Sequence, residues 1–286
     1  MVSISAVKGG PPRLIPAKPP LNNDEKEIVQ ELVASSGRRI NIPVRHSFVR
    51  SATGETPPPL AKLIASRGAV ALKLYLALIW RCSKEPYRAQ YPARTWAKLL
   101  GLDDPAKSGA RRIRDALENL QSHKLVRLEK HRGDPTMVYL LQEDGSGREY
   151  NVPHASFQAA KNKDAAAEHE YFQIPQTLWV SGHLQRMSTP ALAMLLVVME
   201  ESRGKNTPQW WSVDVFNKRF ALKKDTRSTG AAELEKTHLL KVESKDLPPS
   251  PGVRVHFTRK RTRRSYQLLD PALPLTETKK KPKTRP

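Results

Sequence analysis

Cationic side chains crowd the first half of one predicted helix in this chain of 286 residues. They are Lys107, Arg111, Arg112 and Arg114, with the hydroxyl of Ser108 among them. Ammonium and guanidinium groups bind phosphate oxygens, and a guanidinium also pairs with the edge of a base. Ile113, Leu117 and Leu120 recur at i, i+4 and i+7, so they predict a buried stripe that the cations avoid. The spacing therefore indicates a helix that presents cations to a polyanion.

The segments around this helix predict how it is held. A short amphipathic helix over residues 97–102 ends near Gly101, a common helix stop, and the turn 103–105 leads into the basic helix. Residues 125–129 and 137–141 then alternate like the two strands of a hairpin. The cations at the hairpin turn are Lys130, His131 and Arg132. This order predicts a winged helix-turn-helix, whose second helix enters the major groove of DNA while the wing tip touches the backbone.

The same order of elements occurs twice in the chain. An Ile-Pro pair opens each unit, at residues 42–43 and 174–175, and an apolar helix follows over 69–80 and 191–199. The later matching segments are 91–102 and 210–222, 111–120 and 225–234, 125–129 and 239–243, and 138–141 and 266–269. Such order indicates a duplicated domain. The predicted fold class is therefore α+β, mostly α, with two tandem winged helix-turn-helix domains, a flexible N-terminal arm and a basic C-terminal tail.

The second unit carries its own set of cationic and hydroxyl side chains. Its basic helix leads with Lys223, Lys224, Arg227, Ser228 and Thr229. Its predicted wing contains Arg254, Arg259, Lys260, Arg261, Arg263 and Arg264. A run of charge is usually just a solvated surface, and winged helices also bind proteins. Here the run falls where a wing tip would meet phosphates, which favours contact with a nucleic acid backbone.

Net charge and composition narrow the class of partner. The chain has 49 Lys and Arg against 28 Asp and Glu, a net charge of +21, which favours a polyanion because neutralised phosphates release counterions. A ribosome-bound or membrane-surface protein has the same excess, so the fold must decide between them. No apolar run reaches the length of a membrane span, the N-terminus does not resemble a signal peptide, and the single Cys82 excludes an intramolecular disulfide. We therefore expect a bacterial cytoplasmic protein without a membrane partner.

Shifts in composition place the predicted boundaries between units. These units are a Pro-rich arm at 1–39 with a helix at 22–36, winged-helix domains at 40–141 and 171–270, a linker at 142–170, and a disordered basic tail at 271–286. Within the linker, residues 161–169 indicate a short exposed helix. The predicted core contains all five tryptophans: Trp80, Trp96, Trp179, Trp210 and Trp211.

The chain lacks the motifs that mark common catalytic and metal sites. It contains no G-x-x-x-x-G-K-[ST] and no H-E-x-x-H, and its eight histidines are scattered. His183, Arg186 and Tyr266 faintly resemble the residues of tyrosine recombinases, but those enzymes need further arginines in a helical domain, and Tyr266 falls in a strand pattern. Aromatic residues are only 6% of the chain and do not alternate with basic ones, which disfavours binding of single strands. We therefore expect neither an enzyme nor a cofactor or metal.

Residues 39–270 contain two predicted winged helices, an excess of basic residues and no segment left for an effector pocket. In these respects they resemble the initiator proteins of iteron-type plasmids. The resemblance is one of architecture, without a signature motif. It implies that each recognition helix enters one major groove of a repeated origin sequence, and that dimers repress the initiator's own gene whereas monomers bind the origin. Double-stranded DNA, a second copy of the chain and host replication proteins are the partners it implies. By position, the base readers would be Lys107, Ser108, Arg111, Arg112, Lys223, Lys224, Arg227, Ser228 and Thr229.

Two other functions share parts of this pattern. A transcription regulator or a nucleoid-type DNA binder would use the same helices, although regulators of this length usually carry a ligand or dimerisation domain as well. An adaptor that uses winged helices to bind protein would not need the basic excess. The sequence favours the initiator, with the regulator as the alternative.

Overall fold

The computed structural model of the chain describes residues 21–37, 40–66, 68–247 and 262–275. Nearly half of these residues lie in α-helices, and the strands form three small sheets, so the fold is α+β. The predictions for the Pro-rich arm before residue 21 and for the basic tail after residue 275 lie outside the described residues. No helix in these ranges is long and apolar enough to cross a membrane.

Helix α1 covers Asn23–Ser36 and confirms the helix predicted at 22–36. The Asn22 side chain accepts a hydrogen bond from the backbone of Glu25, and the Glu25 carboxylate accepts one from the backbone of Asn22, a capping box that fixes the helix start. The helix ends at Gly37, whose φ of 67° suits glycine. Val29 and Leu32 are buried against the first half of the chain.

The first half contains a three-stranded sheet packed against helices. The elements of the first half are β1 (Asn41–Arg45), α2 (Pro59–Ala65), α3 (Ala69–Arg81), β2 (Arg88–Gln90), α4 (Ala93–Leu99), α5 (Ser108–Ser122), β3 (Val126–Glu129) and β4 (Met137–Leu140). Strands β3 and β4 form the predicted hairpin, and β2 pairs with the other edge of β4, which the sequence did not predict. Helix α3 is buried nearly all round, as its apolar sequence predicts.

The segment predicted as a linker is structured. It contains α6 (Pro153–Ala159) and α7 (Lys163–Ala167), and α7 confirms the short exposed helix. Gln142 and Glu143 are buried rather than solvated. Polar composition suggested an open linker, but the Glu143 carboxylate binds a buried arginine, which draws this segment into the protein.

From its long apolar helix onward, the second half repeats the order of two helices and a hairpin that ends the first half, whereas the elements before that helix differ. Its elements are β5 (Tyr171–Pro175), α8 (Thr177–Val180), α9 (His183–Arg186), α10 (Thr189–Ser202), α11 (Val213–Phe220), α12 (Lys224–Lys236), β6 (Leu240–Asp246) and β7 (Thr262–Leu268). Helix α12 packs closely on α10, since a Cβ atom at Gly230 would lie 2.2 Å from the carbonyl oxygen of Pro190. The bridge between Gln209 and Tyr266 occupies the place that β2 has in the first half.

The two halves also match in local geometry after α5 and α12. Lys124 and His238 both have φ of 56°, an uncommon value for residues other than glycine. The next residue in each half donates its backbone N–H to a helix carbonyl at 3.0 Å: Leu125 to Leu120, and Leu239 to Leu234. Residues that differ by 114 in number therefore occupy corresponding positions on α5 and α12.

A two-stranded antiparallel sheet joins the halves. Strand β1 pairs with β5, with Ile42 opposite Ile174, Asn41 opposite Pro175 and Pro43 opposite Gln173. The two Ile-Pro segments that open the halves therefore pair with each other about a local two-fold axis at the isoleucines. Around this sheet the Trp80 and Trp179 rings stack with centroids 5.6 Å apart, so the core is continuous across the junction.

Charged groups are buried at the same junction. Arg45 binds the Glu143 carboxylate, and both side chains are almost fully buried. Its Nη2 donates to the carbonyl of Asn151 at 2.9 Å. Burial raises the pKa of the Glu143 carboxyl, and the Arg45 guanidinium opposes that rise. The next residue, His46, has its Nδ1 2.8 Å from the Glu200 carboxylate of the second half. Arg45 therefore holds residues 142–151 against β1, and His46 links the two halves directly.

Replacing Arg45 with methionine should lower the free energy of unfolding by about 3–5 kcal/mol at neutral pH, because Glu143 would stay buried without its counter-charge. The pKa of Glu143 would rise further above its unfolded value, so the folded state would hold a proton that the unfolded state releases. The loss should therefore be small below the unfolded pKa and should grow as pH rises through the folded pKa. Denaturant unfolding at a series of pH values measures it.

The double variant Arg45→Met, Glu143→Leu is the matched control. It removes both charges and should recover most of the lost stability, since an apolar pair of similar volume replaces the ion pair. A double variant no more stable than the single one would contradict the buried ion pair as the cause.

Candidate nucleic-acid interface

Helix α5 exposes most of the predicted base-reading residues of the first half. Its buried side, which includes Ile113 and Leu120, packs against α3 and α4. The Ser108 hydroxyl donates to the carbonyl of Asp103, and the Ser108 backbone N–H donates to the Asp104 carboxylate, which ties the helix start to the preceding turn. The helix begins at Ser108, three residues after the end of the predicted turn at 103–105. The exposed residues are Lys107, Ser108, Arg111, Arg112 and Arg114.

The charge on the outer face of α5 changes from one end of the helix to the other. Arg111, Asp115 and Glu118 follow the i, i+4, i+7 spacing of one stripe opposite the buried side. Arg112 and Arg114 flank this stripe on either side of Arg111. Positive charge is thus confined to the first half of the helix, the part that reads base edges when a recognition helix enters the major groove.

The turn between β3 and β4 lies beside α5. Lys130, His131 and Arg132 are all exposed in it, and Gly133 turns the chain with φ of 90°. Lys130 Nζ lies 3.1 Å from the Glu118 carboxylate of α5, which links the turn to the helix. The structure therefore brings the predicted wing residues and the basic helix of the first half together on one surface.

The outer face of this sheet holds two arginines that the sequence reasoning missed. Arg88 and Arg127 stand on either side of Tyr139 across the three strands, and Arg127 lies 4.1 Å from the centre of the tyrosine ring. Arg127 also donates to Glu129 and lowers the pKa of that carboxyl. Arg127 lies in a predicted strand, and the alternation of buried and exposed side chains along that strand would have indicated that it is exposed. No such pattern indicated the exposure of Arg88, because β2 was not predicted.

Helix α12 exposes four of its five predicted contact residues. They are Lys223, Lys224, Ser228 and Thr229. The outer stripe of this helix consists of Asp225, Thr229, Ala232 and Lys236, while Gly230, Ala231 and Leu234 are buried. Positive charge near the helix start comes from the two lysines rather than from the stripe itself. The second helix therefore presents a different chemistry from α5.

Arg227 departs from the prediction, because its guanidinium points into the protein. Its Nε donates to the hydroxyl of Tyr266 at 3.0 Å, and its Nη2 donates to the carbonyl of Trp211 at 3.1 Å. The guanidinium carbon also lies 4.9 Å from the centre of the Phe216 ring. Arg227 corresponds to Ile113, which is on the buried stripe of α5, so its position in the repeat could have shown that it faces inward. It supports α12 and is not exposed for base reading.

The hairpin of β6 and β7 is longer than that of β3 and β4, with seven residues in each strand. Arg263 and Arg264 are exposed on it, as predicted. The Arg263 guanidinium lies 3.7 Å from the centre of the Trp210 ring, which is 50% exposed and not in the core as predicted. The other four tryptophans are buried. The predicted wing residues Arg254, Arg259, Lys260 and Arg261 lie outside the described residues.

The weakly recombinase-like set is not assembled into a site. Tyr266 is buried, and its hydroxyl accepts the hydrogen bond from Arg227. Arg186 donates instead to the backbone of Ser181 and Gly182. Burial lowers the pKa of His183, with the Arg186 charge as a second cause. In the described ranges, no group of three or more His, Cys, Asp and Glu side chains could hold a metal ion.

Replacing Arg227 with alanine should lower the free energy of unfolding by about 1–3 kcal/mol, because the Tyr266 hydroxyl and the Trp211 carbonyl lose a charged donor. Lys224→Ala, on the exposed side of the same helix, is the matched control and should change stability by less than about 0.5 kcal/mol. Denaturant unfolding measures both. An Arg227→Ala variant of unchanged stability would show that these contacts do not support α12.

Comparisons of the chain with protein-family models, with curated proteins and with solved structures found no match. The functional assignment of the two basic helices therefore depends on their geometry and charge.

Proposed function

We propose that the protein binds double-stranded DNA in a sequence-specific manner through two tandem winged helices. The observation that carries this proposal is the repeated surface: α5 and α12 each expose cations near their N-terminus beside a hairpin with exposed cations. A major groove admits one such helix, and the adjacent hairpin then lies along the phosphate backbone. The net charge of +21 supplies the attraction to phosphates.

The order of elements in each half supports the winged-helix assignment. In the first half α3, β2, α4, α5, β3 and β4 follow the helix, strand, helix, helix, hairpin order of that fold. In the second half α10, the Gln209 bridge, α11, α12, β6 and β7 follow it again. The matching geometry after α5 and α12 supports an internal duplication.

The junction constrains how two such units would read DNA. The pairing of Ile42 with Ile174 relates the opening strands of the halves by a local two-fold rotation. We propose that the same rotation relates the two units, which would then present their recognition helices in opposite directions along a duplex, as dimeric helix-turn-helix proteins do on palindromic operators. We therefore expect two half-sites in opposite orientation, at a spacing that the buried junction fixes.

Initiation of plasmid replication is the biological role that we propose for this binding. It is supported by the two-unit architecture within one chain and by the absence of a separate effector domain in the described part of the chain. Transcription regulation is the alternative. A second copy of the chain and host replication proteins are the further partners that the initiator role requires.

Capture of fragments of the parent genome on the purified protein tests this function. An initiator should enrich one cluster of short repeated sites, whereas a regulator should enrich scattered promoters. On an enriched site, the footprint of one chain should span about two helical turns. Inserting about five base pairs between the half-sites should abolish joint binding, because the rigid junction cannot follow half a turn of rotation. Unchanged binding after the insertion would contradict a rigid pair of readers.

Base readers and backbone contacts should respond differently to substitution. Arg111→Ala should reduce discrimination between cognate and scrambled DNA by about 1–3 kcal/mol, because a bidentate base contact is lost. Arg264→Ala, on the second hairpin, should weaken binding to both DNAs alike and reduce the slope of affinity against salt by about one unit. Binding titrations at several salt concentrations measure both. The placement of α5 in the groove would be wrong if the hairpin variant alone changed sequence preference.

A further inference from the structure

The outer stripes of α5 and α12 carry opposite charges at one pair of corresponding positions. Arg111 corresponds to Asp225, one near the start of each helix, and both side chains are exposed. One turn later the two helices differ again, with the acidic Asp115 on α5 and the neutral Thr229 on α12. The buried Leu120 and Leu234 correspond to each other, but Arg111 and Asp225 lie on the exposed side of their helices. The packing of the helices therefore does not explain the difference on their outer faces.

Helix stability explains only one of the two residues. An acidic residue near a helix N-terminus is favoured by the helix dipole, which suits Asp225, but the same dipole disfavours Arg111. The two helices present opposite charge in the same place on a surface that the fold leaves open. The shape of a DNA groove is nearly independent of sequence, whereas its pattern of donors and acceptors is not. A difference in the bases that are read accounts for both residues.

We infer that Arg111 and Asp225 make the two halves read different bases at corresponding positions of the two half-sites, an inference that rests on the proposed DNA binding. Arg111 matches guanine, whose O6 and N7 both accept hydrogen bonds. Asp225 matches cytosine, because its carboxylate accepts a hydrogen bond from the N4 amino group. The DNA site is then an inverted repeat whose two half-sites differ at this base pair. This difference fixes the direction in which a single chain binds.

Selection of sites from random duplex DNA tests the inference. The unaltered chain should select guanine at the Arg111 position and cytosine at the corresponding Asp225 position. Asp225→Arg should change the second preference to guanine and make the selected site more nearly an inverted repeat. Its affinity for the original site should fall by about 5- to 140-fold. Asp225→Asn, a nearly isosteric change, should move the preference towards adenine.

Glu235→Arg is the matched control, since it makes the same change of charge near the other end of α12, where the side chain is also exposed. It should raise affinity for all DNA through added positive charge and leave the selected bases unaltered. Specific binding with no change of preference in either Asp225 variant would overturn the inference and leave the proposed function standing. No specific duplex binding by the unaltered chain would overturn both.

Discussion

The pairing of β1 with β5 is the interaction on which the arrangement of this protein depends. Within the described residues, each strand has only the other as its partner, so the backbone groups on their facing edges are paired by the opposite half. The isoleucines at the centre, Ile42 and Ile174, are fully or almost fully buried. Neither half could move away without exposing these side chains and leaving strand hydrogen bonds unmade.

Buried polar contacts strengthen this constraint. A hydrogen bond from Lys73 Nζ to the carbonyl of Gln185, at 2.7 Å, joins the two halves. The Arg45 and Glu143 pair holds the intervening segment against β1 and would be costly to separate, because each charge would remain in a site from which water is largely excluded. Linked domains with a flexible connection gain affinity through effective concentration alone. Here the fixed junction adds a geometric requirement, since both basic helices are presented in one relative orientation.

The two halves keep the same backbone geometry after α5 and α12 but differ in side chains, both on the surface and in the core. The clearest exchange is Ile113 for Arg227, which fill corresponding positions beneath α5 and α12. An arginine is accepted there because Tyr266 and Trp211 supply hydrogen-bond acceptors and aromatic rings surround the guanidinium. A hydrophobic stripe thus became a polar network in one copy, while the backbone geometry after the helix stayed the same.

Local patterns in the sequence were sufficient for the elements whose signals are local. The helix predicted at 22–36, the apolar stripe of Ile113, Leu117 and Leu120, and the alternation of the β3 and β4 hairpin each depend on neighbours within a few residues. The same stripe predicted that Arg111 and Arg112 are exposed, because both residues lie outside it. The net charge also indicated a polyanionic partner, and the order of elements indicated the duplicated domain that we propose.

Only the tertiary structure decided which contacts form between residues far apart in the chain. The polar composition of residues 142–170 indicated a linker, yet the counter-charge of Arg45 draws Glu143 into the interior. Trp210 was predicted to be buried and is half exposed, whereas Arg227 was predicted to be exposed and is turned inward. The sequence determined which faces of the helices are apolar, because that depends on a period of 3.6 residues. Which polar groups find partners depends on segments that meet only when the two halves pack.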